Sequence, residues 1–193
     1  ALSWAAAGDE VFVAKGTYTG SFKLRAAAKV YGNCVGTETE PPTYTTAEGL
    51  ETFLKGPGGK RVLYLDGKAS EIYGLDISGG DASTETTGVG RGGGVYINNG
   101  VGGGLYVLNG RLENCIIENN IATTAPWEDT SKTWSTGIGG GICLDATEGN
   151  GCNPDNAIVL NCIIRNNSTT PTDDGDSFQS QGGGIAIKSG KLV

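Results

Sequence analysis

Glycine triplets, each followed by two apolar residues set one position apart, recur four times in this chain and restrict sharply what it can fold into. They are Gly92-Gly93-Gly94-Val95-Tyr96-Ile97, Gly102-Gly103-Gly104-Leu105-Tyr106-Val107, Gly139-Gly140-Gly141-Ile142-Cys143-Leu144 and Gly182-Gly183-Gly184-Ile185-Ala186-Ile187. A β-strand points successive side chains to opposite faces, so apolar residues at every second position mark one buried face. A phosphate-binding loop would need a helix N-terminus after its glycines, and β-alternating residues follow instead. The glycines also lack a collagen triplet period, although the chain has 34 of them in 193 residues. Each triplet therefore reads as a corner before a strand, where glycine reaches conformations closed to other residues.

A second pattern answers the first: Asn114-Cys115-Ile116-Ile117-Glu118-Asn119-Asn120 and Asn161-Cys162-Ile163-Ile164-Arg165-Asn166-Asn167. Gly74-Leu75-Asp76-Ile77-Ser78-Gly79-Gly80 aligns with both when Gly74 is set against Asn114 and Asn161. Leu75, Cys115 and Cys162 then share one column, and Ile77, Ile117 and Ile164 another. These apolar columns face inward, whereas the mixed column of Asp76, Ile116 and Ile163 faces outward, with Ser78, Glu118 and Arg165 beyond it. Strands repeated with turns too tight for helical crossovers predict an all-β coil of parallel strands, each level burying its inward side chains on the next. Val95, Ile97, Leu105, Val107, Ile142, Leu144, Ile185 and Ile187 supply much of that interior. Asn119-Asn120 and Asn166-Asn167 fall at equivalent corners, where amides stack between levels. An antiparallel β-sandwich is the alternative, with Asn99-Gly100 and Asn109-Gly110 as its hairpin turns.

Residues 1–193 read as one domain. Leu2 and Trp4, in an Ala-rich start ending at Gly8, are expected to cap the open N-terminal end of the coil. Gly8–Ala14 reads as a turn feeding a short strand, Gly16–Gly20 as a further turn-bounded step, and Phe22–Leu24 and Lys29–Gly32 as the short segments that follow. Long loops are expected at 33–51, 121–138, 145–156 and 168–181, with the repeating strand cores constant between them. Two glycine triplets precede one Asn-Cys-Ile-Ile segment, and the sequence leaves open which of them stacks in register. The chain stops where a further such segment is due, which suggests a fragment of a longer coil.

Charge and cysteine usage narrow the function. The net charge is −7, and the 14 Lys and Arg are scattered, so the basic footprint of a nucleic-acid binder is missing. No run of residues approaches the ~18 apolar positions of a membrane span. Five cysteines, no Cys-x-x-Cys pair and no histidine argue against a zinc site and against a complete disulfide framework. Cys115 and Cys162 are expected to pack as buried thiols, since parallel side chains normally stay farther apart than the ~3.8 Å of disulfide-bonded Cβ atoms.

These repeats, with the opening Ala6-Ala7-Gly8-Asp9-Glu10-Val11-Phe12-Val13-Ala14-Lys15-Gly16-Thr17-Tyr18, resemble the right-handed parallel β-helix proteins of the pectin-lyase-like superfamily. Within it the chain is similar to secreted or surface-anchored proteins of Bacteroidetes-type bacteria and to the repeats of polymorphic outer-membrane proteins. The resemblance implies a right-handed β-helix with a short N-terminal cap, at the cell surface or outside the cell. It implies activity weakly, because the superfamily mixes polysaccharide lyases, glycoside hydrolases, adhesins and proteins without known activity.

Cleaving members of that superfamily work on the outer wall with carboxylates, Arg or Lys, and Ca2+. The Gly-His-Gly segment of its galacturonan hydrolases has no counterpart here. As a lyase-like set, Arg165 would abstract a proton or clamp substrate while Asp76 and Glu118 held Ca2+. The plainer reading, which is preferred, makes Glu118 and Arg165 an ion pair across strands. Asp173, Asp174 and Asp176 form the other candidate Ca2+ site, against the plainer reading of a solvated acidic loop. Trp127 and Trp134, beside Glu128, Asp129 and Lys132, are candidate sugar-stacking residues, or else cover the coil wall. No cofactor is expected, and Ca2+ is the ion considered for these clusters. The preferred expectation is a non-catalytic, adhesin-like or glycan-binding surface protein with a polysaccharide or cell-surface glycan as partner. A polysaccharide lyase or glycoside hydrolase is the alternative.

Overall fold

The computed structural model describes residues 2–24, 27–65, 70–81, 95–98, 110–123, 139–145, 157–170, 183–189 and 191–192. Within them the chain is all-β, with one 3-10 turn at Leu2–Trp4. The strands are β1 (Glu10–Ala14), β2 (Gly16–Thr19), β3 (Phe22–Leu24), β4 (Lys29–Cys34), β5 (Thr52–Lys55), β6 (Leu63–Leu65), β7 (Glu71–Tyr73), β8 (Asp76–Ser78) and β9 (Val95–Asn98). They continue with β10 (Gly110–Glu113), β11 (Ile116–Glu118), β12 (Ile121–Thr123), β13 (Ile142–Asp145), β14 (Ala157–Leu160), β15 (Ile163–Arg165), β16 (Ser168–Thr170), β17 (Ile185–Ser189) and β18 (Lys191–Leu192).

Every described pairing is parallel, which removes the antiparallel sandwich. The first sheet runs β1-β4-β7-β10-β14-β18, the second β2-β5-β8-β11-β15, and the third β3-β6-β9-β13-β17. Chain order thus visits the three sheets in rotation. A small pair, β12 with β16, follows the second sheet, and Asp81 bridges to Ile121 beneath it. Residues 121–123 and 168–170 were expected to be loop. They form strands because Ile121 N donates to Gly80 O (2.8 Å) and Ser168 N to Asn120 O (2.9 Å), so the backbone finds partners on the level below.

The expected columns hold in the second sheet. Asp76, Ile116 and Ile163 pair in register, as do Ile77, Ile117 and Ile164. Ile163 N donates to Cys115 O (2.9 Å), which places Cys115 and Cys162 on neighbouring rungs of one sheet. The core joins Leu54, Ile77 and Ile117 of this sheet to Val30, Ile72, Leu112 and Val159 of the first and Leu24, Leu63, Leu65 and Ile142 of the third. In the first sheet β7 and β10 alternate around that buried column, with Ile72 and Leu112 inward between more exposed neighbours. Leu2 packs on the core, but Trp4 is 88% exposed and does not share in the cap, because the three residues per turn of a 3-10 turn set the Leu2 and Trp4 side chains about 120° apart.

Left-handed corners repeat with the strands. Gly74 (φ 63°), Asn114 (52°) and Asn161 (48°) enter the second sheet, and Gly79 (68°), Asn119 (54°) and Asn166 (53°) leave it. Asparagine tolerates this region better than other residues with a Cβ. The glycine triplet serves a further purpose. Gly139 has a positive φ (64°), whereas a Cβ on Gly140 would overlap the carbonyl oxygens of Ser168 and Gly183, and one on Gly141 would lie 2.7 Å from Gly184 O. Close approach of backbones, more than bending, is what requires the second and third glycines. Of the two successive triplets, the one at 92–94 leads into β9, which pairs with β6 and β13 in the third sheet. Leu105 and Val107 lie outside the described residues.

Candidate functional site

The outer face of the second sheet carries two columns: Thr17, Phe53, Asp76, Ile116 and Ile163, then Thr19, Lys55, Ser78, Glu118 and Arg165. Residues 35–51, between β4 and β5, cross this wall. Tyr44 donates its hydroxyl to Gly32 O (2.6 Å), and Ala47 and Leu50 pack on Ile116, with Ile163 beside them. The face expected to be solvated is therefore partly covered, and Ile116 and Ile163 gain an apolar partner that the sequence pattern alone does not supply.

Asp76 lies next to Ile116 in register and is only 6% exposed. Its Oδ1 has no hydrogen-bond partner. Burial raises its pKa to about 6, the nearby Glu118 charge adds to the rise, and Arg165 and Lys55 oppose it. Arg165 Nε donates to Glu118 Oε2 at 2.7 Å, so these two side chains of the expected trio meet directly. Asp76 stands diagonally across from them and joins through charge alone. Chemically this is one titratable buried carboxyl beside a closed ion pair. Among the described residues no group of three or more His, Cys, Asp or Glu side chains is placed to hold a metal ion. Asp173, Asp174, Asp176, Trp127 and Trp134 lie outside the described residues.

The first sheet holds a constellation that the sequence reading missed. Phe12, Tyr31 and Tyr73 stack up its outer face with ring centroids 5.5 and 5.1 Å apart, and Tyr44 lies parallel to Tyr73 at 6.4 Å. Burial pushes the Tyr31 phenol up to about 12, with the Glu10 carboxylate adding to it. Tyr73 bonds to Glu71 and is shifted upward too, chiefly by burial. Beside the rings runs a column of alternating charge, Glu10, Lys29, Glu71 and Arg111. Lys29 and Glu71 approach to 3.7 Å, and Arg111 meets Glu113 at 2.6 Å. The repeated Tyr31-Gly32 and Tyr73-Gly74 dipeptides were the available signal. These rings turn their faces to one another, so the stack serves packing before ligand recognition.

No family model, curated protein or solved structure matches the chain. No helix among the described residues is long and apolar enough to cross a membrane.

Proposed function

We propose that the chain is a right-handed parallel β-helix of the pectin-lyase-like kind, at the cell surface or secreted, that binds glycans without cleaving them. The supporting observation is the rotation of parallel strands through three sheets, set against connections whose sequence differs from level to level. Strands one level apart repeat the same corner, whereas the sequence between them differs in length and composition at 99–109, 124–138, 146–156 and 171–182. Such a scaffold spends its variation on what it presents. Right-handedness follows the general preference of parallel crossover connections. The wall charges favour binding over chemistry, because Arg165, Arg111 and Lys29 are each engaged by a carboxylate. Trp127 and Trp134, in the 124–138 segment, are the sugar-stacking residues in this reading.

Screening the intact chain against a glycan array tests the proposal. Trp127→Ala and Trp134→Ala should each weaken binding about tenfold, a loss of ~1.4 kcal/mol. The second reading, a polysaccharide lyase or glycoside hydrolase, draws on Asp76, whose raised pKa and place beside Glu118 and Arg165 suit an acid–base group. Ultraviolet absorbance from unsaturated products of an acidic polysaccharide, with or without Ca2+, lost in Arg165→Ala, would overturn the binding proposal in favour of a lyase.

A further inference from the structure

Cys115 and Cys162 immediately precede β11 and β15, which pair in register from Ile116 and Ile163 onward, and each follows a left-handed asparagine. Adjacent parallel strands lie ~4.8 Å apart, inside the Cα range that a disulfide spans but wider than its ~3.8 Å Cβ separation, so closing the bond must draw the two Cβ atoms together from their reduced spacing. The sulfur of Cys162 leans toward the lower level, where it accepts from Cys115 N at 3.4 Å. The Cys115 thiol leans the same way, donating to Glu113 O (3.3 Å) and Ile72 O (3.8 Å). The Cys162 sulfur thus already lies against the backbone of Cys115. The rungs also differ in access. Cys115 is fully buried, whereas Cys162 is partly exposed just before β15, the edge strand of its sheet among the described residues.

We propose that Cys115 and Cys162 are a redox-active thiol pair, closed to a disulfide by a peroxide, that clamps the level of β14, β15 and β16 to the level beneath. The roles follow from access and polarity. Contact with the Cys115 thiol pushes the Cys162 pKa down, while burial pushes that of Cys115 up. Cys162 is therefore the attacking thiolate. Its sulfur attacks one peroxide oxygen, the O–O bond breaks, and Cys162 becomes a sulfenic acid as the other oxygen leaves as water or alcohol. The Cys115 sulfur then attacks the Cys162 sulfur, the S–O bond breaks, and a second water leaves with the Cys115 proton. Two thiols are oxidised and one peroxide is reduced. The pairing rests on strand register and is independent of any glycan-binding role.

Treating the reduced full chain with hydrogen peroxide, alkylating the remaining thiols and mapping peptides without reduction tests this. A Cys115–Cys162 cross-linked peptide is expected, and dithiothreitol should release it. Before oxidation, Cys162 in the folded chain should alkylate at least about tenfold faster than Cys115. Cys115→Ser should leave Cys162 as a sulfenic acid that dimedone traps, and Cys162→Ser should leave Cys115 a free thiol. Oxidation should raise the urea midpoint of the parent chain and leave that of Cys162→Ser unchanged. Recovery of Cys115 and Cys162 as free thiols, a link from either to another cysteine, or oxidation of Cys162 to sulfinic acid without a cross-link would each overturn the proposal.

Discussion

Asp76 shows how one residue can be placed correctly and still be misjudged. Its column and outward direction are legible from the alignment with Ile116 and Ile163. Its burial to 6% exposure is not, any more than the packing of Ala47 and Leu50 on the neighbouring Ile116. The native pKa of about 6 exceeds the ordinary 3.8, so folding disfavours the ionised form. The native state is unaffected below the ordinary value, loses stability as pH rises between the two, and carries the full penalty above the higher one. Two pKa units correspond to about 3 kcal/mol. Asp76→Asn should therefore gain on the parent chain across that window by about 2–3 kcal/mol in urea unfolding. A difference independent of pH would show that the carboxyl is not strained by burial. Arg165 and Glu118 are the contrasting case. Their ion pair is exposed on the Arg165 side, and Arg165→Ala should change stability by less than about 1 kcal/mol.

At the scale of the element, the corners are held by amides as well as by dihedral angles. Asn120 is fully buried, accepts from Gly80 N (2.8 Å), and donates to Ile77 O (3.1 Å) and Asn167 Oδ1 (3.0 Å). Asn167 repeats the step by donating to Ile117 O at 2.9 Å. Asn120→Ala strips partners from two backbone groups on the level below and from the Asn167 side chain on the level above, and should cost about 2–4 kcal/mol in urea unfolding. Asn119→Gly, at φ 54°, should be close to neutral, whereas Asn119→Val should cost at least about 1 kcal/mol. Equal effects of the two Asn119 substitutions would show that the left-handed corner is not imposed by the fold. Gly74 links corner and wall: at φ 63° it also lies against the Tyr44 ring, which a Cβ would displace. Gly74→Ala should therefore loosen residues 35–51 as well as strain the corner, read as a loss of protection at the amides around Ala47 and Leu50.

For the whole molecule, the three sheets share one core, and strands in the middle of each are paired on both sides. Native-state hydrogen exchange should find the amides of β8 and β11 slowest and those of β2, an edge strand exposed throughout, fastest. Uniform protection across the second sheet would contradict this layering. Residues 35–51 add a second layer outside part of that sheet, so Leu50→Ala should cost about 2 kcal/mol although Leu50 lies outside the main core.

Period-two alternation, repeated asparagine corners and glycine triplets were enough to reveal parallel strands, their inward columns and the amide ladders, because each depends on neighbours in sequence or on repetition at equivalent positions. The first sheet was harder to see. A strand such as β10 sends one apolar side chain, Leu112, inward between Arg111 and Glu113, too short a pattern to stand out. Contacts between segments distant in sequence were illegible for a plainer reason. The stacking of Tyr44 on Tyr73, the packing of Leu50 on Ile116 and the approach of the Cys162 sulfur to Cys115 all depend on how the chain returns. Local pattern sets which way a side chain points, whereas its burial, its pKa and its reactive partner follow from what the rest of the chain places against it.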